Sequence, residues 1–129
     1  MAYTSLKGAR ILIVDDNYIN RRIARNFVSQ WDVEMDEAVN GKEALQLHSE
    51  KAYNLLLLDL DMPGMNGHET IYALRKIDQN IFTVAFTDLG APGLKEQLIS
   101  EGFSDVLSKP FKPEDLHRQI SNSIKPASE

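Results

Sequence analysis

Two spacings of apolar residues take turns along the chain. Ile11-Leu12-Ile13-Val14 is a short β-branched run, the pattern of a strand buried on both faces. Ile19, Ile23, Ala24, Phe27, Val28 and Trp31 then fall on one stripe at helical spacing. Between Val33 and Val39 the apolar Val33 and Met35 are interleaved with Glu34, Asp36 and Glu37, which predicts a strand near a sheet edge. Asn40 followed by Glu43 has capping-box spacing and opens a second helix carried by Ala44, Leu45 and Ala52. Leu55 to Leu58 is a second fully apolar run, and Met62-Pro63-Gly64 is a turn signal. Ile71, Leu74 and Ile77 mark a third helix, and Ile81 to Phe86 a fourth strand. Leu94, Leu98 and Ile99 mark a fourth helix with Gly102 as its C-terminal stop. Phe103 to Leu107 reads as a fifth strand of weak pattern. Pro113, followed by Glu114 and Asp115, opens a fifth helix on Leu116, Ile120 and Ile124. The polar tail from Lys125 to Glu129 is expected to fray.

Strands alternating with helices predict an α/β fold: a parallel sheet of five strands with five helices on both faces. The two most apolar runs, at 11–14 and 55–58, should be central. The length of 129 residues fits one domain, with no internal repeat or linker. Lys plus Arg is 14 against 19 Asp plus Glu, a net charge of −5, which argues against a direct nucleic-acid partner. With no cysteine, disulfides, thiolate metal sites and cysteine nucleophiles are excluded, and a reducing compartment is suited. The longest apolar run is far too short to span a bilayer, and residues 1–10 lack the apolar stretch of a secretion signal, so no direct membrane partner is expected.

Ligands of open parallel sheets bind beyond the carboxyl ends of the strands. Here the first strand ends in Asp15-Asp16, the third in Asp59 with Asp61 two residues on, the fourth in Thr87-Asp88, and the fifth in Lys109-Pro110. Each piece alone has a common structural use: an N-cap, a turn, a strand threonine, a loop lysine. Those uses do not explain why four strand ends carry matching groups. Clustered carboxylates call for a hard divalent cation with oxygen ligands. A carboxylate can also serve as a nucleophile toward phosphorus, with a cation, an ammonium and a hydroxyl to neutralise the phosphoryl oxygens.

These residues resemble the receiver domain of two-component response regulators from Ala9 to Ile124. The resemblance rests on Ile11-Leu12-Ile13-Val14-Asp15-Asp16, on Asp59-Leu60-Asp61-Met62-Pro63-Gly64-Met65-Asn66-Gly67, on Thr87, and on Lys109-Pro110-Phe111. Asn17, Asn20-Arg21 and Asn40-Gly41-Lys42-Glu43-Ala44-Leu45 look most like receivers attached to hybrid sensor kinases. The resemblance implies one receiver domain over 1–129 with a core of about 9–124, and a flavodoxin-like strand order of 2-1-3-4-5. It implies that Asp59 accepts a phosphoryl group from a phosphohistidine on a histidine kinase or histidine phosphotransfer protein. It further implies that Asp16 and Asp59 hold Mg²⁺ (or Mn²⁺) through their side chains, with Asp15 helping through water and Asp61 giving its backbone carbonyl. Thr87 and Lys109 would contact the phosphoryl oxygens. The partner would dock on Asn17, Tyr18, Asn20, Ile23 and Pro110. A cis peptide between Lys109 and Pro110, a cytoplasmic setting, and room for a weak dimer follow from the same likeness. Such a domain performs self-phosphotransfer and autodephosphorylation, and any turnover catalysis would lie outside the chain.

Two positions depart from the family. A small residue usually follows the signalling threonine, and here it is Asp88; the aromatic usual three positions before the lysine is Val106. Val106 has no ring to swing, so the loop from Asp88 to Gly93 is the candidate for a phosphorylation-dependent change, together with a shift of the fourth helix. Two rival readings are weighed. Asp59-Leu60-Asp61 fits the opening of a haloacid-dehalogenase-like phosphatase, but such a motif sits on an early strand and is followed by Thr or Val rather than Met62-Pro63. A receiver-shaped interaction module that no longer phosphorylates is the other. His48, His68 and His117 show no ligand spacing and read as surface or half-buried, Trp31 as core, Met62 and Met65 as packing, and Arg21-Arg22 as a solvated helix face.

Overall fold

The computed structural model describes residues 3–88 and 90–124; the tail expected to fray lies outside them. Strands β1 (Arg10–Val14), β2 (Glu34–Ala38), β3 (Leu55–Asp59), β4 (Phe82–Thr87) and β5 (Asp105–Ser108) form one parallel sheet in the order β2-β1-β3-β4-β5. This is the flavodoxin-like order, with the two most apolar runs next to each other at its centre. Every residue of β3 is buried, whereas β2 at the edge exposes Glu34 and half-buries Asp36 and Glu37. Helices α1 (Tyr18–Val28), α2 (Gly41–Glu50), α3 (Gly67–Ile77), α4 (Leu94–Glu101) and α5 (Pro113–Ser123) cover both faces.

Because side chains alternate across a strand, the sheet splits the core in two. Ile11, Ile13, Leu55, Leu57, Val84 and Phe86 pack with Ala24 and Val28 of α1 and Leu116 and Ile120 of α5. Leu12, Val14, Leu56, Leu58, Ala85 and Val106 pack with Ala44 of α2, Ile71 and Leu74 of α3, and Leu98 of α4. The stripe of α1 ends as expected in buried Trp31, although the last turn, Ser29–Trp31, tightens to a 3-10 helix and Asp32 closes it at φ 62°.

Helix starts follow local chemistry. The side chains of Asn17, Asn40 and Asn66 accept from the backbone N–H three residues on and cap α1, α2 and α3. At α3 the reciprocal bond, from the Asn66 N–H to Glu69, completes a capping box. At α2 Glu43 reaches back to the N–H of Val39 instead of that of Asn40, so the expected box is only half formed. α4 starts at Gly93 with φ 78° and no side-chain cap, and stops at Gly102 with φ 117°. Pro113 occupies the first turn of α5, as predicted.

Three strands start later than expected, the second at Glu34 instead of Val33. The fourth begins one residue later, because Asp78 Oδ1 takes the N–H of both Asn80 and Ile81 and holds them in a turn. The fifth begins at Asp105 instead of Phe103. Phe103 is buried against α4, and Ser104 fixes the approach by donating its N–H to Thr83 O at 2.7 Å while its Oγ accepts the N–H of Thr83 at 2.9 Å.

Candidate functional site

The topology brings the four predicted strand ends to one rim. Carboxylate oxygens of Asp15, Asp16 and Asp59 lie within 4.8 Å of one another, with Asp15 and Asp59 buried and Asp16 exposed. The side chain of Asp61 is exposed and outside this group. Lys109 reaches in from the β5 end and places Nζ 2.8 Å from Asp59 Oδ1. The same oxygen accepts the N–H of Asp61 at 3.1 Å. Thr87, buried at the end of β4, follows Phe86, which stands beside Asp59 in the β3–β4 register. Its carbonyl accepts the N–H of Lys109 at 2.9 Å, so the threonine and the lysine are tied through the backbone. The Lys109–Pro110 peptide is cis, as the resemblance implies.

Burial sets the electrostatics. Desolvation, opposed by hydrogen bonds from Asn17 and Asn20 and reinforced by the charge of Asp59, pushes the Asp15 carboxyl up to about 6. Burial pulls the Lys109 ammonium down, but the Asp59 carboxylate more than offsets this, so its pKa lies above the usual lysine value.

α1 holds the rim from below. Asp15 Oδ1 accepts the N–H of Asn17 at 2.9 Å, and Oδ2 accepts Asn20 Nδ2 at 2.9 Å. Asn20, expected on the docking surface, therefore spends its amide on Asp15. Arg21 corrects the reading of a solvated face. Only 13% of its side chain is exposed; Nη1 donates to the carbonyl of Asp15 at 2.8 Å and Nε to Glu37 Oε1 at 2.9 Å. Arg25 completes the grip on Glu37 at 2.7 Å. Arg22 is exposed, as expected. The partner of Arg21 lies on β2, 16 residues away, and only the β1–β2 register brings it near.

One contributor has no sequence signal of its own. Lys109 Nζ sits 5.1 Å from the centroid of the buried Phe86 ring, so the ammonium lies between a carboxylate and an aromatic face. Phe86 reads as an ordinary strand residue until the β5 loop is placed above it. Gly67 is needed for a different reason. A Cβ there would lie 2.7 Å from the carbonyl oxygen of Asp59, so the start of α3 can press against the β3 end only without a side chain. The three histidines are half-buried, as expected: His48 bonds Asp78, His68 bonds Glu101, and His117 packs edge-on to Trp31.

The remaining predicted positions surround the rim. Asn17, Tyr18, Ile23 and Pro110 are exposed. Ile19, expected on the apolar stripe of the first helix, is instead exposed beside them at 61%. No described helix is long and apolar enough to cross a membrane.

Three carboxylates gathered at the strand ends of a parallel sheet, with a lysine bonded to one of them, define an α/β domain with an acidic site on its carboxyl-end rim. The family profile described as the response regulator receiver domain matches residues 11–121, and the chain belongs to that family. It is 33% identical over 107 residues to the chemotaxis protein CheY of Thermotoga maritima, covering 82% of this chain and 89% of that one. It is 32% identical over 132 residues to the hybrid signal transduction histidine kinase B of Dictyostelium discoideum, covering 92% of this chain but 7% of the kinase. Among solved structures it superposes on the receiver domain of Ssk1 in complex with the Saccharomyces cerevisiae histidine phosphotransfer protein Ypd1, with a TM-score of 0.82, 26% identity, and 88% and 86% of the two chains covered. The protein is thus a receiver domain of two-component or phosphorelay signalling. The phosphatase alternative falls with that membership.

Proposed function

We propose that Asp59 accepts a phosphoryl group from the phosphohistidine of a histidine kinase or histidine phosphotransfer protein. The observation that carries this reading is the 2.8 Å contact of Lys109 Nζ with Asp59 Oδ1 beside the three clustered carboxylates. Oδ1 takes hydrogen bonds from Lys109 and from the Asp61 N–H, so Oδ2 is the attacking oxygen, and Oδ1 would turn to a cation once the Lys109 ammonium has moved away. The P–O bond to Oδ2 forms as the P–N bond to the donor imidazole breaks. The electron pair returns to that ring nitrogen, and the imidazole leaves neutral, with its proton already on the other ring nitrogen or taken up from solvent. Lys109 then moves its bond from the carboxylate to a phosphoryl oxygen, and the Thr87 hydroxyl takes another.

The donor set fits a hard divalent cation: three carboxylates within 4.8 Å, one of them held partly protonated near pH 6 by burial and by its neighbour's charge. Asp16 and Asp59 would hold Mg²⁺ or Mn²⁺ directly. Both oxygens of Asp15 already accept N–H donors, which suits a contribution through water, and Asp61 would give its carbonyl. The bound cation supplies charge neutralisation for the phosphoryl oxygens.

Asn17, Tyr18, Ile23 and Pro110 form the docking face, and Ile19 extends it. The likeness to the Ssk1 receiver and to hybrid kinases supports a kinase or phosphotransfer partner, and with it a cytoplasmic setting. The loop from Asp88 to Gly93 and the start of α4 carry the response, because Val106 lies in the core without a ring to move.

Incubation with acetyl phosphate and Mg²⁺, followed by intact-mass measurement, tests the reading. The wild type should gain one phosphoryl group, and Asp59→Asn none. A gain that persists in Asp59→Asn moves the acceptor elsewhere, and no gain in either makes the chain a receiver-shaped interaction module.

A further inference from the structure

α3 has a second face that the core does not use. The helix buries Gly67, Thr70, Ile71 and Leu74 against the sheet and α2. On the far side Tyr72 is 66% exposed and Ile77 64%, beside an open depression of about 620 Å³ that is lined mainly by apolar atoms. Two large apolar side chains standing out from one groove are more than the scattered singles of an ordinary surface. The charges on this face have an order. Glu69 lies two turns before Lys76, and the large Tyr72 and small Ala73 sit midway between them. Lys76 Nζ rests 4.4 Å from the Tyr72 centroid, so the ammonium already lies at the middle of the stripe. Glu69 gives one oxygen to the capping box, and the other takes no hydrogen bond among the described residues.

We infer that two copies of this chain associate through α3, packed antiparallel about a two-fold axis that passes between Tyr72 and Ala73. A two-fold contact must be self-complementary, and this stripe is. Tyr72 meets the partner's Ala73, a large residue against a small one, as close helix packing requires. Glu69 meets the partner's Lys76 on both sides of the axis, and His68 meets the partner's Ile77. A parallel pairing would set Glu69 against Glu69 and Lys76 against Lys76, so the charges select the antiparallel arrangement. The same complementarity favours a second copy over an unrelated helix. One helix face buries less than the roughly 800 Å² per partner of a standard interface, so the association is weak. α3 belongs to the layer opposite α1, so pairing leaves the rim and the α1 face open to a phosphoryl donor. The inference is independent of Asp59 chemistry.

Sedimentation equilibrium tests it, from about 10 μM to about 1 mM, the range in which an interface below standard size assembles. The weight-average mass should rise above 14.6 kDa toward twice that value. Lys76→Glu and Glu69→Lys should each stay monomeric, while an equimolar mixture of the two associates, since every contact then joins opposite charges. Thermal melting checks that both variants remain folded, which matters for Glu69→Lys because it removes the capping-box partner of Asn66. Because the chain has no cysteine, Ala73→Cys gives a second readout: oxidation should yield a covalent dimer faster than it does for Ser49→Cys on α2. A wild type that stays monomeric throughout overturns the inference. So does a mixture that fails to associate, or cross-linking no faster at 73 than at 49.

Discussion

On the α1/α5 side the sheet packs against rings, whereas on the α2–α4 side it packs mainly against aliphatic chains. Phe86 and Phe111 have centroids 5.1 Å apart, Phe111 and Phe27 5.9 Å, Phe27 and Trp31 6.4 Å, and Trp31 and His117 5.0 Å. The row begins under Lys109 and ends on α5. The opposite layer has Tyr53 and Phe103 at its periphery, and Leu12, Val14, Leu56, Leu58, Leu74 and Leu98 at its centre. Val106 belongs to this aliphatic layer. The difference teaches where a charge rearrangement at Asp59 is first felt. Lys109 touches a ring of the first layer, and its partner carboxylate is on the strand between the two, so the aromatic layer is mechanically nearer the site. The second layer meets the site through backbone, where Leu58 and Leu60 flank Asp59 and the start of α3 presses on its carbonyl at Gly67.

The largest test of this contrast is Phe86→Ala. A deleted core phenylalanine costs about 3–5 kcal/mol, and chemical denaturation should show a loss in that range. Phosphorylation by acetyl phosphate should also slow, because Lys109 loses the face it rests on. Leu56→Ala in the other layer costs a comparable amount, about 2–5 kcal/mol, yet should leave the phosphorylation rate near the wild-type value. Equal slowing in both would erase the distinction between the layers. Val106→Tyr puts a ring into the aliphatic layer, where overpacking costs about 1–3 kcal/mol. Backbone NMR with beryllofluoride and Mg²⁺ should then show changes spreading into β5, whereas those of the wild type should stay at the site and residues 88–101.

The smallest effect depends on pH. The Tyr53 hydroxyl donates to Asp36 Oδ2 at 2.7 Å and, with Lys51, holds that carboxyl below the usual range. A lowered folded-state pKa stabilises the protein above the unfolded value near 4 and is lost as pH falls through the folded value. Tyr53→Phe should therefore cost about 1 kcal/mol at pH 7, at the low end for a partly exposed charged hydrogen bond. The difference should vanish near pH 2. A pH-independent difference would assign the loss to packing in the aliphatic layer instead.

Much of this architecture could be read from the chain. The runs at 11–14 and 55–58, the Asn40 cap, Gly102 and Pro113 are local signals, and local signals survive folding. Asp15, Asp16, Asp59, Thr87 and Lys109 were legible because each closes a strand in a parallel sheet. What escaped depends on register. Arg21 looks like any exposed arginine until β2 brings Glu37 beside it. Phe103 looks like a strand residue until Ser104 ties the chain to Thr83. Phe86 looks like plain core until the cis Lys109–Pro110 loop turns the lysine over its ring.

The uneven capping of the helices has a consequence for breathing. Three helices begin with an asparagine that takes a backbone N–H, whereas α4 begins at a bare glycine, spans eight residues, and buries only Leu98 fully. An uncapped start and a single fully buried side chain give this helix a low local unfolding free energy. Amide hydrogen exchange should strip α4 of its protons before α1, α2 or α3 lose theirs, in the segment proposed above to respond to phosphorylation.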